Sequence, residues 1–276
     1  MSESCASRPH ACYSGREMSK RRLDVLLVDR GLAESREKAQ ALVMAGRVTV
    51  DQRPAPKPGV LVPEDAALSV AQAARYVGRG GEKLERALEA FRLDVSNLVC
   101  ADIGASTGGF TDCLLQHGAA RVYAIDVGHG PLDYRLRGDP RVVVMEGVNA
   151  REIEGLPEPV DFVTIDVSFI SLRLVLPAVA PLLRHPQRAA SGASTPATSA
   201  SGTIIALFKP QFEATKAEVP RGGVIRDPQA HSHLIGRFTA WCVTNGFRVR
   251  DLVASPILGE AGNREFLFWL APGGAR

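Results

Sequence analysis

The apolar residues of this chain follow two different rhythms. Near the start, Leu23, Leu26, Leu27 and Leu32 recur at the spacing of one helical face, which stops near Gly31. Ser35 is placed as the N-cap of a second helix over 36–45, closed by Gly46. Residues 47–51 then alternate with a period of two, and another extended piece over 66–70 follows the Pro- and Gly-rich stretch 54–63. This predicts a small α+β module over 19–75. From Asn97 onward the apolar residues come in unbroken runs, at 98–101, 122–125, 142–144, 162–165 and 203–207, separated by helix-like spans. Such runs belong to strands buried on both faces, so the second part is expected to be a parallel sheet with helices on both sides. Segments 247–254 and 266–269 alternate less regularly and are expected as an antiparallel closing pair. Leu84, Leu88 and Phe91 mark a helix ahead of the first strand. The class is α/β, a doubly wound Rossmann-like sheet over 76–276 behind the small module, with the joint near 71–77.

Composition narrows this picture. With 45% hydrophobic and 23% charged residues, a disordered or fibrous protein is excluded. No apolar run approaches the roughly 20 residues of a membrane-spanning helix. Residues 1–18 lack the apolar centre of a secretory signal and read as a disordered tail, with Met18 as a second candidate start. Residues 185–202, rich in Ala, Ser, Thr, Gly and Pro, read as a flexible surface insertion. Five cysteines without a CxxC pair suit reduced thiols in a cytoplasmic protein, with no disulfide and no zinc site. The formal charge is +3, and its distribution is uneven: ten Lys/Arg face seven Asp/Glu in 19–75, residues 1–18 hold two of each, and 76–276 hold 21 of each. The whole surplus lies in the small module, which points to a polyanionic partner.

The candidate chemistry lies elsewhere. Asp102-Ile103-Gly104-Ala105-Ser106-Thr107-Gly108-Gly109-Phe110 stands at the turn from the first buried strand into a helix. Glycine there permits positive φ and close approach of backbone to a ligand. The spacing departs from the GxGxxG of a pyrophosphate loop, and the preceding acid, Asp102, suits a cationic amino group better than a phosphate. The next strand ends at Asp126, followed by Val127, where a carboxylate can accept hydrogen bonds from both hydroxyls of a ribose. Asp166 and Lys209 end the fourth and fifth strands and are expected as neighbours, because reacting groups gather at the carboxyl ends of strands. Lys83 lies on the helix before the first strand, and Glu265 leads into the last one. In the small module, Arg22, Arg36, Lys38, Arg47 and Arg53 are expected to present a positive face to phosphates. His231 and His233 have no metal-ligand spacing and are read as structural or solvent-facing; no metal is expected.

The small module resembles the S4 RNA-binding domain through Arg22-Leu23-Asp24, Arg36, Lys38-Ala39, residues 46–51 and Lys57-Pro58-Gly59. Residues 104–109 with Asp126 resemble the S-adenosylmethionine motifs of class I methyltransferases. That resemblance places the methionine moiety at the glycine loop, the ribose on Asp126 and the adenine near Asn149. Lys83, Asp166, Lys209 and Glu265, in that order, resemble the catalytic tetrad of FtsJ-type 2′-O-ribose methyltransferases. With residues 78–84, 166–171 and Lys209-Pro210-Gln211-Phe212-Glu213, the closer resemblance is to the TlyA family. It implies S-adenosylmethionine as cofactor, ribosomal RNA and ribosomal subunits as partners, and methylation of a cytidine ribose.

A ribose hydroxyl is a poor nucleophile until a base takes its proton. A lysine serves if burial and a second lysine disfavour its ammonium form, so Lys83 is expected to stand close to Lys209, with Asp166 and Glu265 orienting the two. Residues 222–227 are expected to form a loop over the cleft that orders when RNA binds. Two rival readings exist. The haemolysin label that many members of this family carry would require a signal peptide or an amphipathic membrane segment, and neither is visible. A non-catalytic RNA-binding protein on a methyltransferase scaffold has no reason to keep all four tetrad residues.

Overall fold

A computed structural model describes residues 19–71, 75–184, 200 and 202–273. The tail expected over 1–18 and nearly all of the insertion expected over 185–202 lie outside the described residues. The chain divides into two compact units, Met1–Ala73 and Ala74–Arg276.

In the first unit, strand β1 (Lys20–Arg22) leads directly into α1 (Leu23–Asp29), and α2 (Arg36–Met44) follows with Ser35 as its N-cap, the hydroxyl accepting from Lys38 N. Strands β2 (Val48–Val50), β3 (Arg53–Pro54), β4 (Leu61–Pro63) and β5 (Leu68–Val70) complete the unit. β2 is the centre of a three-stranded antiparallel sheet, and β1 pairs with β4. Leu23, Leu26, Leu27, Ala39, Val43 and Val48 close its core. Three strands differ from the sequence reading, one being Arg53–Pro54 at the start of the Pro- and Gly-rich stretch. Lys20–Arg22 has no apolar alternation to announce a strand, and Leu61–Pro63 lies at the end of what reads as a Pro- and Gly-rich connection.

The second unit opens with α3 (Gly80–Phe91) and continues through β6 (Val99–Ile103), α4 (Gly109–Gln116), β7 (Arg121–Asp126), α5 (Tyr134–Arg137) and β8 (Val142–Glu146). Then come β9 (Phe162–Ile165), α6 (Leu172–Val179), β10 (Thr203–Phe208), α7 (Pro210–Glu213), α8 (Pro228–Thr244), β11 (Phe247–Ala254) and β12 (Phe266–Pro272). The seven strands are ordered β11-β12-β10-β9-β6-β7-β8. The five from β10 to β8 run parallel, and β12 lies antiparallel between β10 and β11. Alternate residues of each strand serve opposite faces: Ala101 and Ile103 pack towards α6 and α8, Cys100 towards α3 and α4. Strand order reverses between β6 and β9, and the crevice at such a switch point is where an open α/β sheet binds its ligand. Among the described residues no helix is long and apolar enough to cross a membrane, and no group of three or more His, Cys, Asp or Glu could hold a metal ion.

Candidate active site

Two adjoining cavities open at the carboxyl ends of the parallel strands. One, of about 660 Å³, is lined by Lys83, Asp166, Lys209 and Glu265 together with Gly104, Ser106, Thr107, Gly109 and Phe110. The other, of about 1090 Å³, is lined by Asp126, Val127 and Asn149 and shares Gly104, Ser106 and Asp166 with the first. The sheet thus brings together four charged residues scattered over most of the chain and sets them beside the glycine loop.

The charges are arranged as two separate ion pairs. Lys83 Nζ donates to Glu265 Oε2 at 2.6 Å, with both side chains less than a tenth exposed. Lys209 Nζ stands 2.7 Å from Asp166 Oδ1 and donates to Ser168 Oγ at 2.8 Å. Each ammonium has its own carboxylate, as expected of Asp166 and Glu265 as the groups that orient the two lysines. Asp166 Oδ1 is buried and accepts no directed hydrogen bond, although it faces Lys209 at ion-pair distance.

The glycine loop is shaped from behind as well as in front. Gly104 has φ 82°, and a Cβ there would lie 2.5 Å from the Asp166 backbone oxygen. Its lack of a side chain lets the ends of β6 and β9 meet. Gly108 has φ 95°, and a Cβ would collide with Leu136 and Leu132. It does not line either cavity, so its role is to seat the loop on the core rather than to touch a ligand. Asp102 also departs from its expected place. It is completely buried and accepts from Thr111 Oγ1 at 2.7 Å and Thr164 Oγ1 at 2.8 Å. Its strand parity, shared with Cys100, turns it under the loop, away from any cationic ligand in the cavities. Burial pushes its carboxyl up to about 6, against the hydrogen bonds from Thr111 and Thr164.

Asp126 Oδ2 accepts from Ser106 N at 2.8 Å and Oδ1 from Gly128 N at 2.7 Å, which ties the end of β7 to the glycine loop. Val127 is 70% exposed and lines the second cavity. Asn149 lines that cavity too, but its side chain is engaged locally, donating to Glu152 and accepting from Arg151 N. The loop over the cleft is already fastened: Asn263, 1% exposed, accepts from Ile225 N and donates to Gly223 O, both at 3.0 Å. Buried His231 holds Ile225 O at 3.0 Å through Nε2. Ser168 and Asn263 were missed as working residues; each lies inside a motif, yet nothing in spacing alone says where its side chain turns.

The basic residues of the first unit are partly engaged. Asp24, fully buried, accepts from Arg22 Nε and Nη2 at 3.0 and 2.9 Å, from Arg36 Nε at 3.0 Å and from Gln40 Nε2 at 2.8 Å. The hydrogen bonds from Arg22 above all hold its carboxyl well below the usual carboxylate range. Arg47 donates to Ala71 O, and Lys38 pairs with Glu34 at 3.3 Å. Arg53 is exposed and has no ion pair among the described residues. Arg22, Arg36 and Arg47 thus also shape the unit, although each keeps N–H donors free.

The FtsJ-like methyltransferase pattern matches residues 76–271 and the S4 domain pattern residues 21–68. YqxC of Bacillus subtilis, described provisionally as an rRNA methyltransferase, is 46% identical over 91% of this chain and 85% of its own. TlyA of Mycobacterium tuberculosis, a 16S/23S rRNA (cytidine-2′-O)-methyltransferase, is 43% identical over 90% of this chain and 89% of its own. A solved structure from Streptococcus thermophilus, described provisionally as a hemolysin, superposes with a TM-score of 0.67 at 42% identity, covering 94% of this chain and 90% of that one.

Proposed function

Since the chain belongs to the TlyA family of FtsJ-like methyltransferases, with an S4 domain ahead of the methyltransferase domain, we propose that it methylates the 2′-hydroxyl of a cytidine ribose in ribosomal RNA. The observation that carries this reading is the pair of lysine–carboxylate contacts facing one cavity beside the glycine loop.

S-adenosylmethionine, when bound, supplies an activated sulfonium methyl. The residues fit such a cofactor. Each Asp126 oxygen takes one backbone N–H and retains a lone pair for a ribose hydroxyl. The exposed face of Val127 offers an apolar surface to a purine, and the loop at Gly104, Ser106 and Thr107 joins the two cavities. On the RNA side, the 2′-hydroxyl points its single proton at the Lys209 amine, and Asp166 orients that lysine. Lys209, as the free amine, takes the hydroxyl proton as the oxygen–methyl bond forms. Because Lys209 rests as an ion pair with Asp166, its ammonium must first give a proton to solvent before the amine can take the one on the hydroxyl. Lys83 and Glu265 hold each other at another part of the cavity wall and position the ribose. The S4 domain gathers RNA through phosphate contacts that carry no sequence information.

The test is methyl transfer from labelled S-adenosylmethionine to ribosomal subunits and to free ribosomal RNA, followed by mapping of the modified nucleotide. Label at a cytidine 2′-oxygen is expected. Label on a base, or none in either substrate, overturns the proposal.

A further inference from the structure

Lys209 and its two partners lie on separate arms of chain that are fastened together at three points. One arm runs from Asp166 through Ser168 to Ser171, at the end of β9; the other is Lys209 with the single turn of α7. At one end, Lys209 meets Asp166 and Ser168. In the middle, the rings of Phe169 and Phe212 pack with centroids 5.1 Å apart. At the far end stands Glu213, 6% exposed, whose carboxylate accepts from Ser171 Oγ at 2.7 Å and from Leu172 N at 2.6 Å.

Ser171 is the N-cap of α6, so Glu213 fixes the point at which the first arm turns into a helix. A carboxylate at a helix N-terminus is favoured by the unpaired N–H groups and the helix dipole. Glu213 is itself held: Arg237 Nη2 donates to its backbone oxygen at 2.9 Å, and Arg173 Nε lies 3.7 Å from its carboxylate. Burial raises the proton affinity of this carboxyl, and the donated hydrogen bonds from Ser171 and Leu172 oppose that shift. A buried acid kept where a neutral residue would fit more cheaply calls for a role.

We propose that Glu213 is a positioning residue for methyl transfer: by fastening the two arms at the end remote from the chemistry, it fixes where Asp166 and Ser168 stand relative to Lys209. The inference rests on the methyl-transfer reading. Glu213 lines neither of the two cavities described and acts through Ser171 and Leu172. Loss of the fastening lets the arm from Asp166 to Ser171 shift as a loop. Displacement of a reacting group by an ångström slows chemistry by about 100-fold.

The experiment compares wild type, Glu213→Gln, Glu213→Ala and Ser171→Ala as full-length proteins. Single-turnover methyl transfer at saturating RNA and cofactor is measured beside the affinities for both and beside amide hydrogen exchange. Glu213→Ala is expected to slow transfer by roughly 10- to 100-fold with both affinities kept. Glu213→Gln, which can still accept from Leu172 N and reorient towards Ser171, is expected to restore most of the rate. Exchange should quicken in 166–172 while β9 stays protected. Ser171→Ala removes one fastening bond and guards against a Glu213→Ala protein that does not fold; a fall of about 3- to 10-fold is expected from it, smaller than the full displacement effect. An unchanged rate in both alanine variants overturns the proposal. So does a glutamine variant as slow as Glu213→Ala, or loosening spread over the whole sheet. If the wild type transferred no methyl group, the functional reading would fall, whereas normal exchange in 166–172 of Glu213→Ala would overturn the fastening itself.

Discussion

Asp24 in the first unit and Asp102 in the second are both withdrawn from solvent completely, yet they are held by opposite means. Asp24 lies among two guanidiniums and an amide, and its carboxyl is held well below the usual range. Asp102 has two threonine hydroxyls, and its carboxyl is pushed up to about 6. Cations neutralise a buried acid; hydroxyls satisfy its oxygens but leave its charge uncompensated. The first arrangement belongs to a small unit whose basic residues help to fold the chain. The second belongs to a large core that tolerates a strained acid under a loop. The tetrad is a third case: pairs as close as those of Asp24, but opening on a cavity where a substrate can reach one partner.

The largest effect is expected where the pair is open. Lys209→Ala should cut the single-turnover rate by about 10²–10⁴-fold, the usual loss on removing a general base, with cofactor and RNA affinities nearly kept. Lys209→Arg should not rescue it, because a guanidinium cannot accept a proton at accessible pH. A near-normal arginine variant would reduce Lys209 to an electrostatic role and erase the contrast with Asp24. For the closed pair, Asp24→Ala should cost on the order of 2–3 kcal/mol, discounted because both arginines can turn to solvent. Hydrogen exchange should place that loss in α1 and α2 and leave the second unit unchanged; loosening of β6 would contradict it.

The pH dependence of the two aspartates should have opposite signs. Asp24 has a lowered folded value, so its contribution is present above the unfolded value of about 4 and lost as the pH falls. Asp102 has a raised one, so its contribution is full below about 4 and lost as the pH rises through about 6. Relative to wild type, Asp102→Asn should therefore gain on the order of 2–3 kcal/mol between pH 4 and pH 7.5 in chemical denaturation. A constant difference would mean that Asp102 does not titrate there. The smallest effect concerns RNA: Lys38→Ala and Arg53→Ala should each lower the log-log salt slope of binding by about one, without loss of fold. Arg22→Ala and Arg36→Ala should lower it less and also weaken the unit, because part of each guanidinium is engaged with Asp24.

The strands of the second unit were legible because two-sided burial makes unbroken apolar runs, and Phe162–Ile165 and Thr203–Phe208 lie where those runs fall. The meeting of Asp166 with Lys209 was legible from the rule that strand ends converge. Which carboxylate each lysine chooses was not, since order along the chain says nothing about side-chain direction within a cavity. Asp24 was hidden for a related reason. Its three partners lie on β1 and α2, and only the packing of α1 against α2 reveals that Arg22 and Arg36 turn inwards to the same acid. Asp102 was misplaced by reading the loop as a string; the alternation of β6, with Cys100 facing the helices, decides its side of the sheet.

The contact between Lys83 and Glu265 spans 182 residues of sequence. During synthesis at about 5–20 residues per second, the first of these waits for some 9–36 seconds before the second exists. β12 must then insert between β10 and β11 to carry Glu265 into place. The glycine loop, the ribose-facing Asp126 and even the Lys209–Asp166 pair can assemble earlier. On the proposed reading, the pair that closes the site is therefore among the last contacts the chain can make, and a ribosome carrying the unfinished chain does not yet face a complete site.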